Sequence, residues 1–328
     1  MADLSTTYLG LKLKNPVIVG SSGLTRNIDN LMTIEDRGAG AVVLKSLFEE
    51  QIKQEIRKVF SMDDVNSAYT EADDYIRNYS RDQTVNEYLK LIERAKSRLT
   101  IPVMASINCV SAEEWPSFAQ EIEKAGADAL ELNVFVLPAD IDKPGNEYEK
   151  VYFEIIENVK KQVNMPVALK ISYHFSGMAE LIKKLSWTDV DGLVLFNRFF
   201  NPDIDIERLV VKPGNLYSTP EEISTSLRWI AILADRIQAD LCASTGVHDG
   251  AGVVKQLLAG AKGVQICSTL YKNGFEKIAQ IVEDLQTWME KNNWDKISDF
   301  RGKLSHKKSE NPAVYQRVQF MKHFSGIE

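Results

Sequence analysis

Apolar runs of five or six residues recur along the chain, each followed by a longer and more polar segment of helical character. In order they read PVIVGS (16–21), AVVLKS (41–46), PVMASI (102–107), ALELN (129–133), PVALKI (166–171), GLVLFN (192–197), DLCAS (240–244) and GVQICS (263–268). Continuous rather than alternating hydrophobicity predicts parallel strands buried on both faces. Three of the runs begin with Pro-Val, at Pro16, Pro102 and Pro166, and three follow a Gly-Ala pair, in RGAGAVVL, KAGADALEL and LAGAKGVQI. Glycine suits the left-handed residue just past a helix, and proline stops a helix and can open a strand. A strand–helix unit met eight times predicts an α/β fold, a (β/α)8 TIM barrel. A doubly wound open sheet is the alternative, because the pattern does not show closure.

Three segments exceed the minimal unit: 47–83, 134–146 and 198–225. All follow the C-terminal ends of predicted strands, where a barrel keeps its active site, so they are expected to cover a substrate. The N-terminal TTYLGLKLKN predicts a hairpin closing the barrel bottom, and residues from about 292 to 328 predict a helical, peripheral tail. No stretch has linker composition, so 1–328 is expected to be a single domain with its core at about 9–290.

Composition narrows the partners. The 328 residues are 44% hydrophobic, ample for a large core. A net charge of -7, with both signs mixed along the chain, argues against a nucleic-acid or anionic-membrane surface. Cys109, Cys242 and Cys267 form no C-x-x-C and cannot all pair, which fits a reduced cytoplasmic protein. No run approaches the ~20 apolar residues of a membrane span, and no export signal is apparent. The expected partner is a small-molecule substrate, and a homodimer remains open.

The predicted strand ends carry Ser21 and Ser22, Lys45, Ser106 with Asn108, Asn133, Lys170, Asn197, Thr245 with Gly246, and Cys267 with Ser268. Buried lysines are uncommon unless paired or functional. The competing reading for each is an ion pair inside the barrel with Glu131, which shares a strand face with Asn133. Small residues after strands seven and eight let a backbone approach a ligand, and barrels commonly hold phosphate there. Two tight turns without a ligand are the plain alternative. His248 reads as a loop residue beside that turn. His174, His248, His306 and His323 show no i, i+4 pairing, so no metal site is expected. No G-x-S-x-G elbow, Walker loop or dinucleotide fingerprint occurs. A phosphate cradle, two lysines and neutral amides fit a phosphorylated cofactor that carries the chemistry itself. A flavin suits the set, because a lysine near its pyrimidine edge would stabilise the charge of the reduced ring.

In the pieces GLKLKNPVIVGSSGL, GAGAVVLKS, AGADALELN, PVALKIS and AGAKGVQICSTLY, the chain resembles the FMN-dependent dihydroorotate dehydrogenases, soluble class 1 branch, from about Leu9 to Phe275. The resemblance implies FMN contacts at Ser21 and Ser22 near the ring, Lys45 and Ser46 beside them, Ser106, Asn133, Lys170 on the reduced ring and Phe196 behind it. Ser218, Thr245, Gly246, Cys267 and Ser268 would hold the ribityl-phosphate end. Lys45, Asn133 and Asn197 would meet substrate, and Lys45 would act catalytically between flavin and substrate.

The resemblance fails on the substrate side. The family continues strand four as Asn-x-x-Cys-Pro-Asn, or with Ser, and that Cys or Ser is the base that takes a proton from dihydroorotate. Here the aligned residues are Asn133, Val134, Phe135, Val136, Leu137 and Pro138. Val136 has no proton-accepting group, and a one-residue shift restores none. The family's Asn-x-x-Gly-x-x-Asn segment is also absent from DDVNSAYTEADDYIRNYS. Cys109 and His174 are the weak substitutes for the base. Three readings follow. One is an FMN oxidoreductase acting on the CH–CH bond of dihydroorotate or a related small ring, in pyrimidine biosynthesis. Another is a Schiff-base aldolase or lyase on a phosphorylated substrate, with Lys170 or Lys45 as nucleophile. The third is a flavin-binding protein with little turnover. No iron–sulfur cysteine cluster or pyridine-nucleotide module identifies an electron acceptor.

Overall fold

The computed structural model describes residues 2–48, 70–109, 115–199 and 201–316, with the side chains of 70–83, 109 and 115–117 left out. The chain opens with β1 (Thr6–Tyr8) paired antiparallel to β2 (Leu11–Leu13). Eight parallel strands follow: β3 (Val17–Val19), β4 (Ala41–Val43), β6 (Val103–Cys109), β7 (Ala129–Val134), β8 (Val167–Ile171), β9 (Gly192–Leu195), β12 (Asp240–Ala243) and β13 (Gly263–Ile266). Each pairs with its neighbours in this order, and β13 pairs with β3, so the sheet closes on itself. This is the predicted (β/α)8 barrel, not the open sheet.

The Pro-Val openings have a physical counterpart. The Val17 N–H donates to Asn15 Oδ1 (3.0 Å), that of Val103 to Asp128 (2.8 Å) and that of Val167 to Asp191 (2.8 Å). A side-chain acceptor thus meets the first N–H after each proline, where the ladder has not yet begun. Lys96 and Lys160 in turn pair with Asp128 and Asp191.

Between strands run α1 (Ile28–Asp36), α2 (Thr70–Arg98), α3 (Trp115–Lys124), α4 (Gly145–Lys160), α5 (Met178–Leu185), α6 (Ile223–Leu233) and α7 (Gly250–Ala259). α8 (Ser268–Asn273) and α9 (Glu276–Lys291) follow the last strand. The outer faces of the strands and the apolar stripes of the helices make the main core. The barrel interior holds a second, smaller cluster in which Tyr8, Leu9 and Leu13 of the hairpin pack on Ile18, Val43, Met104 and Cys242. The hairpin therefore plugs the bottom, as predicted.

The long segment 47–83 carries elements of its own. Leu47–Phe48 form β5 beside β6, and α2 already begins at Thr70. Its sequence is polar but contains neither Gly nor Pro and so offers no helix breaker. Residues 49–69 lie outside the described residues. Over its described residues, 292–316, the tail is not chiefly helical: it holds a 3₁₀ turn at Ile297–Asp299 and the short α10 (Ala313–Gln316), otherwise mostly turns, and residues 317–328 lie outside the described residues. Ile297, Phe300 and Ser305 are fully buried, and Phe300 packs against Trp288 and Trp294, so this segment is part of the fold rather than an appendage. The insertion after β9 is a ribbon of β10 (Pro202–Asp205) and β11 (Val210–Pro213), with Ile204 and Val211 paired and exposed.

Candidate active site

Strand register assembles the site. Asn108 lies opposite Asn133, and Asn133 opposite Lys170, across β6, β7 and β8. Glu131, two residues before Asn133, faces the same side one pleat deeper. Above them, at the C-terminal ends of the strands, opens a cavity of about 370 Å³. Its polar lining comes from Ser21, Asn108, Asn133, Lys170, Asn197, Ser218, Gln265, Cys267 and Ser268. Phe48, Phe135, Phe196, Leu216 and Val247 supply the apolar walls. The side-chain oxygens of Asn108 and Asn133 are buried and have no hydrogen-bond partner among the described residues. An unmade bond at a buried polar atom costs about 1–3 kcal/mol. Two on one wall mark a surface shaped to meet the donors of a ligand. Flavin ring edges carry such a donor, so this pair of acceptors fits the cofactor that the sequence suggests.

Lys170 is only 9% exposed. Its ammonium donates to Gln265 Oε1 (2.8 Å), and Gln265 Nε2 donates to Glu131 (2.5 Å). Glu131 also lies 3.6 Å from the ammonium itself. The ion pair offered as a competing reading for Lys170 is therefore present, yet the lysine still reaches the cavity wall. Gln265 was not singled out from the sequence. A lone polar residue inside the apolar run GVQIC was the available signal.

The far end of the cavity is held by three loops. The Ser218 N–H donates to Ser268 Oγ (3.0 Å), its hydroxyl meets His248 Nε2 (3.0 Å), and Lys272 donates to its carbonyl (2.8 Å). His248 sits below the usual histidine range because burial and the nearby Lys272 charge both disfavour its cationic form. Burial pushes the Cys267 thiol up, so it is a neutral wall rather than a nucleophile. Thr245 and Gly246 both have left-handed backbone, with φ of 74° and 78°. That conformation is rare for a β-branched residue and tends to occur at functional sites. A Cβ on Gly246 would lie 2.1 Å from the Ile223 nitrogen. Gly246→Ala is therefore expected to lower the unfolding free energy by about 2 kcal/mol or more, read by urea denaturation. Wild-type stability in that variant would mean that the turn can relax.

Several residues expected to touch a cofactor stand back from this cavity. Ser21, Ser46 and Ser106 form a hydroxyl chain, with Ser21 to Ser46 at 3.0 Å and Ser46 to Ser106 at 2.7 Å, and only Ser21 lines the cavity. Ser22 caps the turn Gly23–Thr25. Lys45 is half-buried and does not line the cavity. Asn197 spends its amide N–H groups on the carbonyls of Val134 (3.1 Å) and Lys170 (3.3 Å), tying the C-terminal ends of the paired strands β7 and β8 together.

On the loop after β7, Phe135 lines the cavity and stacks on Phe199 at 3.9 Å. Val136 is half-buried and packs toward the main core. His174 stands edge-on to Phe199, with its Nε2 buried and unpartnered among the described residues, and does not line the cavity. The side chain of Cys109 lies outside the described residues. Arg198 also lines the cavity, but its guanidinium is taken up by Glu222 and the carbonyls of Leu216 and Tyr217.

The family model described as dihydroorotate dehydrogenase matches residues 3–289, nearly the whole chain. The chain belongs to the dihydroorotate dehydrogenase family. Among curated relatives, the Thermoplasma volcanium protein named dihydroorotate dehydrogenase B (NAD(+)), catalytic subunit, is 27% identical over 314 residues, covering 92% of this chain and 98% of the relative. The Pyrococcus abyssi protein of the same name is 27% identical over 304 residues, 91% and 98% of the two chains. The Lactococcus lactis subsp. cremoris protein named dihydroorotate dehydrogenase A (fumarate) is 25% identical over 327 residues, 92% and 99%. Against the dihydroorotate dehydrogenase pattern, one departure falls at the end of β7 and in the loop after it, residues 134–138, of which Phe135 lines the cavity, and the other in residues 63–80, whose first part lies outside the described residues.

Proposed function

We propose that this chain is an FMN-dependent oxidoreductase that oxidises a CH–CH bond of dihydroorotate or a closely related small ring, a step of pyrimidine biosynthesis. The observation that carries this reading is the cavity wall itself: the Lys170 ammonium beside the unpartnered oxygens of Asn108 and Asn133. FMN, when bound, supplies a two-electron hydride acceptor. Lys170 would hold a positive charge against the reduced ring, and Asn133 would orient both ring and substrate. Phe196 would back the ring and Ser21 would meet its other side, held there by the hydroxyls of Ser46 and Ser106, with Ser22 and Lys45 behind it. Ser218, Thr245, Gly246, Cys267 and Ser268 would hold the phosphate end, where left-handed backbone and small side chains leave N–H groups accessible. Lys45 and Asn197 would face the substrate.

The Schiff-base alternative draws no support from Lys170, whose ammonium is committed to Gln265 and Glu131. A nucleophilic lysine must be free to lose its proton. The relatives' names cite two different electron acceptors, NAD(+) and fumarate. No described helix is long and apolar enough to cross a membrane. The cysteine usage fits a cytoplasmic enzyme, as a single-domain monomer or homodimer. The test is anaerobic: FMN-loaded protein is mixed with dihydroorotate and with dihydropyrimidines lacking the carboxylate. Bleaching of the flavin by at least one of them is the expected result. A loaded flavin that none of them reduces, at any time up to hours, would remove the oxidoreductase reading and leave a flavin-binding protein.

A further inference from the structure

Beneath the cavity lies a charge that the reaction does not use. Glu131 is 1% exposed, inside the barrel. It forms a closed triangle with Lys170 and Gln265, with the distances given above. The triangle fixes the amide. Its oxygen must face the ammonium and its nitrogen the carboxylate, since the reverse would set donor on donor and acceptor on acceptor. From below, Tyr8 and Cys242 approach the carboxylate, and burial raises both their pKa values, so they stay neutral. Lys170 is then the cation that faces Glu131 among the described residues.

A buried ion pair is weak evidence for stability, because desolvation of the two charges offsets their attraction. If the site needed only a cation against the ring, Lys170 beside a neutral group would serve. The carboxylate works in the opposite direction. A hydride leaving the substrate carries two electrons to the ring, while the substrate's second hydrogen leaves as a proton, so the ring side gains one negative charge. Lys170 favours that charge and Glu131 opposes it.

We propose that Glu131, acting through Gln265 and Lys170, is a positioning residue that sets the redox potential of the site by offsetting the Lys170 charge beneath the ring. This rests on the reading that a flavin occupies the cavity. The competing role, merely holding Lys170 in place, is separable. Glu131→Gln keeps an oxygen to accept from Gln265 and removes the charge, its NH2 taking the place of the oxygen 3.6 Å from the ammonium. A structural role leaves the potential where it was; a charge role raises it.

The experiment is dye-coupled anaerobic reduction of FMN-loaded wild type, Glu131→Gln, Lys170→Met and the double variant. The expected order of midpoint potentials is Glu131→Gln highest, wild type and double variant close together, and Lys170→Met lowest. The ratio of reduced-FMN to oxidised-FMN affinity should rise at least about tenfold in Glu131→Gln, or about 1.4 kcal/mol. Glu131→Gln at or below the wild-type potential overturns the proposal. If that variant does not fold, the double variant must exceed Lys170→Met by a similar margin, and equality overturns it. Wild type that binds no FMN overturns the functional reading and this proposal together. FMN bound at an unmoved potential overturns this proposal alone.

Discussion

Anaerobic flavin reduction by dihydroorotate is expected to be slow in the wild type, about 10²–10⁴-fold below what the same site would reach with a positioned base. Oxidation of a CH–CH bond sheds a proton as the hydride leaves, and a group must stand within hydrogen-bond reach to take it. The loop after β7 offers the cavity a phenyl ring at Phe135, and Val136 turns toward the core. His174 is separated from the cavity by the stacked Phe199 and Phe135 rings. Stopped-flow reduction should therefore be unchanged in His174→Ala and in Val136→Cys. Phe135→Cys, which puts a thiol on the cavity wall, should gain about 10²-fold. Fast reduction by the wild type would mean that the base lies elsewhere, and loss of rate in Cys109→Ala would identify it. A gain in Val136→Cys alone would show that the loop turns differently from the structure.

Lys170→Met is expected to act on two observables at once. Removing the cation should weaken binding of the reduced flavin relative to the oxidised form by about 1–3 kcal/mol, which lowers its potential. It also leaves the Glu131 carboxylate buried without its counter-charge. Breaking a buried pair from one side typically costs about 3–5 kcal/mol of stability. Thermal and urea unfolding of the variant should show that loss, and the Lys170→Met/Glu131→Gln double variant should recover most of it. An unchanged potential in a folded, flavin-loaded Lys170→Met would place the ring away from β8.

Much of this was legible in the sequence because it depended on residues that are conspicuous out of context. Parallel strands buried on both faces read as continuous apolar runs, and a lysine or amide at the end of such a run stands out. That logic marked Asn133 and Lys170 before their pairing was visible, and it allowed the Glu131 contact. It could not see closure of the barrel, which depends on the pairing of β4 with β6 and β13 with β3. Nor could it separate a cavity wall from a core. Phe48, Phe135 and Leu216 line the cavity, but an apolar residue near a strand end carries no mark of what it faces. Gln265 sits inside an otherwise apolar run, and one polar residue there does not by itself mark a partner. In the described part of the tail, 292–316, Asn293 and Gly302 adopt left-handed backbone and break what the composition alone would allow as helix.

Everything above the strand ends depends on whether FMN sits there. The decisive measurement is the visible spectrum of protein purified without added cofactor, followed by fluorescence titration of the flavin-stripped chain with FMN. A yellow protein is predicted, releasing intact FMN on denaturation and rebinding one FMN per chain. A colourless protein that FMN neither colours nor stabilises would contradict it.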